Sequence, residues 1–319
     1  MGSALALALA SAVPGCGRDE SKPIAIAAHV WVGYEPLFLA CREGWLDARQ
    51  VRLIETASAT ESLQALSEGR VDGAALTLDE TLKAREAGLP LSVVMVFNIS
   101  AGADMLVARP GIKQLANLKG QRIGFEPSSV GELLLAEVLR AASLTPQDVQ
   151  RVPLSVDKHR EAWQLQQIDA AITYEPVATQ LLALGAVKLF DSRQIPNTIV
   201  DVLALRRDVL DSAHEGAVRH VIAAHFRALD HLRRNPQDAA YRMAGHLDLP
   251  AAEVLKAFKG LLIPDASNNM RLLAGTTPAL LASARKLSGI MVKGHFLAQE
   301  DALAALVRAD YLPSDSEQK

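Results

Sequence analysis

Cysteine, aromatic side chains and any excess of positive charge are scarce in this sequence. Only Cys16 and Cys41 occur among 319 residues, which excludes a disulfide framework and a four-cysteine zinc site. A net charge of −3 provides no basic field for nucleic acid or an anionic membrane. After the N-terminus no apolar run reaches the roughly 20 residues needed to span a bilayer. Enzyme signatures are missing too: there is no P-loop, no complete dinucleotide glycine fingerprint, no nucleophile elbow and no HExxH. We therefore expect no catalytic residue, no cofactor and no metal site. His214, His220, His225 and His231 lie close in sequence, but their steps of 6, 5 and 6 scatter them around a helix instead of along one face. They read as solvated or core histidines. Cys41, among apolar helix neighbours, reads as a small core residue rather than a nucleophile.

What the chain does have is apolar residues, at 50%, enough for two globular cores. Leu5 to Val13 is an Ala/Leu run too short to cross a membrane, followed by Pro14-Gly15-Cys16-Gly17. It reads as an export signal ending in a lipobox, with Cys16 the lipidated residue and residues 17–22 a polar tether. A plain signal peptide with an incidental cysteine is the alternative.

From Ile24 onward apolar strands alternate with amphipathic helices, the pattern of βα units and largely parallel sheets. Ser58-Ala59-Thr60-Glu61, Thr77-Leu78-Asp79-Glu80 and Ser129-Val130-Gly131-Glu132 read as capping boxes, which accounts for Glu61, Glu80 and Glu132 as helix-start residues. Short helices are expected over 111–118 and 158–167. Beyond Asp208 the pattern turns helical, with helices near 217–234, 236–246, 251–262, 278–293 and 300–308. Crossings near 99–104 and 199–204 imply a discontinuous first domain, 23–101 plus 202–319, wrapped around a second, 102–201, after a leader over 1–22.

An aromatic–Glu–Pro triplet recurs three times: Tyr34-Glu35-Pro36, Phe125-Glu126-Pro127 and Tyr174-Glu175-Pro176. Each follows an apolar strand, where proline suits the first turn of a helix. In a chain that is 4% aromatic, three such strand-to-helix corners favour one shared cleft, because open α/β sheets bind ligands at the carboxyl ends of their strands. Trp31, Tyr34, Phe125 and Tyr174 offer stacking faces. Glu35, Asp79, Glu126, Glu175 and Asp201 supply carboxylates, and Ser58, Thr77, Ser128, Ser129, Asn197 and Thr198 supply neutral hydrogen bonds or helix starts. Each acid could equally complement its own helix dipole.

Trp31, Gly33-Tyr34-Glu35-Pro36-Leu37 and Arg42-Glu43-Gly44-Trp45-Leu46 resemble the opening motif of periplasmic substrate-binding proteins of the nitrate/sulfonate/taurine type, a broad group that includes thiamine-pyrimidine-precursor binding proteins. The resemblance continues through residues 67–74, 118–124 and 167–171, and covers roughly residues 24 to 312. It implies a two-lobed α/β clamshell that holds a small molecule between its lobes, and a monomer that serves an ABC-type permease. A periplasmic sensor, a carrier of a larger apolar molecule and an enzyme on this scaffold remain alternatives. Exposed helix N-termini at Ser58, Thr77 and Ser129 favour an anion such as nitrate or a sulfonate. Yet the corner motifs hold carboxylates and no Arg or Lys. That favours a ligand with a donor or cationic nitrogen and a flat apolar part, such as an aminopyrimidine-like heterocycle or an organic amine.

Overall fold

Alternating βα units build two mixed sheets in the computed structural model, which describes residues 22–313. Cys16 and its leader lie outside the described residues. The first part of the chain runs β1 (Ile24–His29), α1 (Glu35–Arg42), β2 (Val51–Thr56), α2 (Ala59–Ser67), β3 (Gly73–Thr77), α3 (Leu78–Glu86) and β4 (Leu91–Ser100). The middle part runs β5 (Asp104–Ala108), β6 (Arg122–Phe125), α4 (Ser129–Ala142), β7 (Gln150–Pro153), α5 (His159–Gln164), β8 (Ala170–Tyr174), α6 (Val177–Ala183) and β9 (Val187–Asp191). The chain then returns through β10 (Val200–Arg206) to α7 (Glu215–Arg234), α8 (Pro236–Leu247), α9 (Ala251–Ala257), β11 (Leu261–Leu262), α10 (Ala266–Leu273) and α11 (Ala279–Lys293).

One sheet has the order β11-β4-β10-β3-β1-β2 and the other β7-β6-β8-β5-β9. Parallel pairing joins β1 to β2 and β3, and β6 to β7 and β8. The strands that carry the chain between sheets, β4, β5 and β10, pair antiparallel with their neighbours. Central strands buried on both faces read as continuous apolar runs; β4 has this form, with only Ile99 partly exposed. The five-stranded sheet is covered on one face by Leu134, Val138 and Leu139 of α4 and on the other by Trp163, Ala178 and Leu181 of α5 and α6. Where the two connections cross, the Ser100 and Ser192 hydroxyls meet at 2.8 Å and the Gly102 N–H donates to Ser192 Oγ at 2.7 Å.

Several local expectations change. Only a 3-10 turn forms within 111–118, at Leu115–Leu118. The helix expected over 251–262 stops at Ala257, because Gly260 packs against the crossover: a Cβ there would stand 2.7 Å from Ala103 N. Gly260 O also accepts from Ala101 N, and the chain goes on to pair with β4 as β11. No helix forms over 300–308. That backbone lies along β4 instead, with Val93 N–H donating to Leu306 O and Arg308 N–H to Val93 O. Arg85 fixes it by bonding Asp301 and Ala304 O. Helix α10 forms in addition to the expected helices, with Ala266, Asn269 and Leu273 on its buried face. Its buried Asn269 brackets the Val96 backbone, accepting from N at 2.7 Å and donating to O at 3.0 Å. Cys41 is exposed, because α1 surfaces after Ala40. Among the described residues no helix is long and apolar enough to cross a membrane.

Candidate functional site

The carboxyl ends of β1, β3, β6 and β8 point at the seam between the sheets, and the helices that follow begin there. Two adjoining cavities of ≈ 10 Å³ each occupy that seam, each about the room one water needs. Asp104, Val130 and Tyr174 line both. Of the anticipated residues, Trp31, Tyr34, Thr77, Tyr174 and Asp201 line one, and Glu126, Ser128 and Tyr174 the other.

Aromatic rings form one wall. Trp31 meets Tyr174 edge-on with centroids 5.4 Å apart, and His29 meets Tyr34 at 5.3 Å, the offset geometry that ring quadrupoles favour. Tyr34 donates to Asp201 Oδ1 at 2.7 Å. With its amide oriented to satisfy both neighbours, Asn98 donates to Asp201 Oδ2 at 2.8 Å and accepts from Trp31 Nε1 at 3.3 Å. Glu126 Oε1 accepts from Thr60 N–H (2.9 Å) and from the Thr60 hydroxyl (2.7 Å), and Oε2 accepts from the Tyr174 hydroxyl at 3.3 Å. Glu126 directly follows β6 while Thr60 lies in the first turn of α2, so this carboxylate bridges the two sheets.

Four residues that the sequence did not single out complete the chamber: His29, Glu80, Asp104 and Thr173. The capping box at Thr77 does form, but it uses only Glu80 Oε2. Glu80 Oε1, Asp104 Oδ2, Ser128 Oγ, Thr173 Oγ1 and His29 Nδ1 are buried with no hydrogen-bond partner. An unsatisfied buried polar atom carries a desolvation penalty of roughly 1–3 kcal/mol, so five in one place mark a position built for something that satisfies them. Glu80 carried a readable signal, since a cap occupies only one carboxylate oxygen. His29 and Asp104 carried none, being single polar residues at strand ends.

Burial dominates the electrostatics. It raises Glu80 to about 8, with Asp79 adding repulsion, and raises Asp104 to about 7. Asp201 is pushed well up by burial and by Asp104, against the opposing bond from Tyr34. His29 is lowered to about 4 by burial and is neutral. No Lys or Arg lines either cavity. The chamber is a neutral-to-anionic space whose charge depends on pH.

The remaining anticipated residues stand elsewhere. Glu35 is fully buried, but it faces away from the chamber and pairs with Arg42 and with His246 Nδ1 at 2.6 Å. Ser58 caps α2 by accepting from Glu61 N–H at 3.2 Å; Glu61 reaches past it to Ala57 N–H. Asp79 is buried in the first turn of α3, outside the cavity walls, and acts on Glu80 and Asp104 through its charge. Glu175 is buried, accepts from Thr179 N–H in α6, and is raised to about 7 by burial. Phe125 packs in the core. Asn197 is exposed at a positive φ of 59°, a turn residue with a backbone reason for its identity. Ser129 is the first residue of α4. The cap before it is Ser128, whose side chain makes no capping bond, and Glu132 pairs with Lys83 at 3.3 Å, so the third capping box does not form.

Outside the chamber, past Tyr174 and Val156, an open cleft of ≈ 490 Å³ separates β2 and α8 from α5 and α6. Its charges are matched: Arg160 pairs with Asp248 at 2.7 Å, and His246 joins Glu35 to Glu55.

The sequence profile described as the NMT1-like family matches residues 17–247. A protein of Escherichia coli K12 named as an aliphatic sulfonates-binding protein is 27% identical over 240 residues, 73% of this chain and 74% of that protein. Among solved structures, the alkanesulfonate-binding protein SsuA of Xanthomonas axonopodis bound to MOPS superposes with a TM-score of 0.74 at 20% identity, covering 91% of this chain and 99% of that one. The periplasmic aliphatic sulphonate binding protein SsuA of Escherichia coli gives 0.70 at 21%, covering 90% and 97%. The two-sheet fold of this chain is that of these periplasmic binding proteins.

Proposed function

The chain belongs to the NMT1-like family, and from that premise we propose that it is an extracytoplasmic solute-binding protein. It encloses one small molecule between its two sheets and presents the closed form to an ABC-type permease. The observation that carries the reading is the chamber itself, where residues with orphaned polar atoms from both sheets line two adjoining buried cavities. On this reading residues 23–101 plus 202–319 form one lobe and 102–201 the other, with Tyr174, Trp31 and Tyr34 flanking the guest. The protein acts as a periplasmic monomer, held to a membrane only through a lipid on Cys16. A ligand closes the lobes only by its higher affinity for the closed form.

The guest is a small nitrogenous molecule with N–H donors or a positive charge. Support comes from the acids around the chamber and the lack of any Lys or Arg lining it. Native mass spectrometry of the purified protein tests this, followed by calorimetry with organic amines and aminopyrimidines. We expect one equivalent, recovered unchanged; turnover or an empty, unresponsive protein would refute it. The second reading is a sulfonate, favoured by the names of the relatives and by the start of α2 beside the chamber. The same calorimetry with alkanesulfonates separates the two.

A further inference from the structure

We propose that Glu126 is a built-in anion that fills the oxyanion position of this chamber and so sets the charge class of the ligand. The inference rests on the solute-binding reading and sharpens it. The first-turn N–H groups of a helix, aided by its dipole, form a ready seat for an anionic oxygen. In α2, Ser58 satisfies Glu61 N–H. The Thr60 N–H and the Thr60 hydroxyl converge on one oxygen, and that oxygen is Glu126 Oε1, at 2.9 and 2.7 Å. Charge-assisted bonds of this kind are the ones a sulfonate or nitrate would otherwise make. The Ser128 hydroxyl, 3% exposed and without a partner, lines the cavity that Glu126 also lines. It is a donor left over once the carboxylate has taken the others.

Glu126 is held in place from behind. Helix α4 packs so closely on its carbonyl that a Cβ on Gly131 would stand 2.2 Å from Glu126 O. An arriving oxyanion therefore meets a fixed carboxylate where it needs donors, with no Lys or Arg on the cavity wall to offset the repulsion. A cation meets the reverse. The oxyanion position is present in the fold, and this chain closes it with its own side chain.

Methanesulfonate is the probe, titrated calorimetrically into wild type, Glu126→Gln and Glu126→Ala, with thermal shifts in parallel. Glutamine keeps an oxygen for Thr60 and controls for folding while removing the charge. Wild type should give no saturable binding. Both variants should gain it, with affinity at least tenfold above the wild-type limit, and Thr60→Val added to Glu126→Ala should weaken that gain several-fold. Methanesulfonate affinity equal in wild type and both variants, or absent in both variants while they melt cooperatively, would overturn the proposal. Failure of the solute-binding reading looks different: no co-purified guest and no response to any amine, whatever the variants do with methanesulfonate.

Discussion

The chamber and the cleft at its mouth contain the same kind of residue in opposite circumstances. Behind the wall of the mouth, fully buried Glu35 has Arg42 and His246 against it, and at the mouth Asp248 has Arg160. In the chamber, Glu80, Asp104 and Asp201 are equally buried and no cation lines the walls. A buried acid with a basic partner keeps its charge and ties elements together. A buried acid among other acids is pushed towards its protonated form. The two regions are adjacent, so burial alone does not distinguish structure from site. The identity of the neighbours does.

The sharpest way to break this contrast is to remove one acid from each region. Glu35→Ala should lose roughly 2–3 kcal/mol in urea unfolding, because it strands Arg42 and His246 on a partly buried surface. Asp104→Asn should instead gain about 1–2 kcal/mol at pH 8, since it removes a carboxylate that burial disfavours. If both substitutions destabilise equally, the distinction fails.

A smaller effect follows from pH. Glu80, Asp104 and Glu175 are raised to between about 7 and 8 in the folded chain, so the folded state holds protons that the unfolded state has released. Stability from these groups therefore falls as pH rises. Below about pH 6.5 the lowered His29 and His159, both near 4, work in the other direction. The net loss should show in the melting temperature between roughly pH 6.5 and 8. Glu80→Gln with Asp104→Asn should flatten that slope. A cationic ligand should bind more tightly across the same interval and release protons in buffers of different ionisation enthalpy. The smallest expected change is at the mouth's surface. Arg160→Ala breaks an ion pair whose partners are 47% and 74% exposed, and should shift stability by less than about 0.5 kcal/mol.

Regular elements were legible because their signals are local. Pro36 sits in the first turn of α1, Gly69 and Gly88 follow α2 and α3 with positive φ, and the β4 run is buried almost throughout. The three aromatic–Glu–Pro corners were legible as corners, yet they diverged as chemistry. Tyr34 and Tyr174 both reach the chamber, while Phe125 joins the core. Of the three glutamates, only Glu126 borders a cavity. Nothing within a triplet encodes this, because the direction each acid takes is set by partners far along the chain: His246 for Glu35, and Thr60 for Glu126. Asn269 and the 300–308 segment were missed for the same reason. Each is organised by the backbone of β4, which no window of sequence around it contains.

The bonded serines where the two connecting segments pass have a mechanical meaning. Ser100 holds Ser192, and Ser192 holds Gly102, so two separate threads are tied into one rib. A tie of that kind couples the two connections, so a displacement of one is passed on to the other.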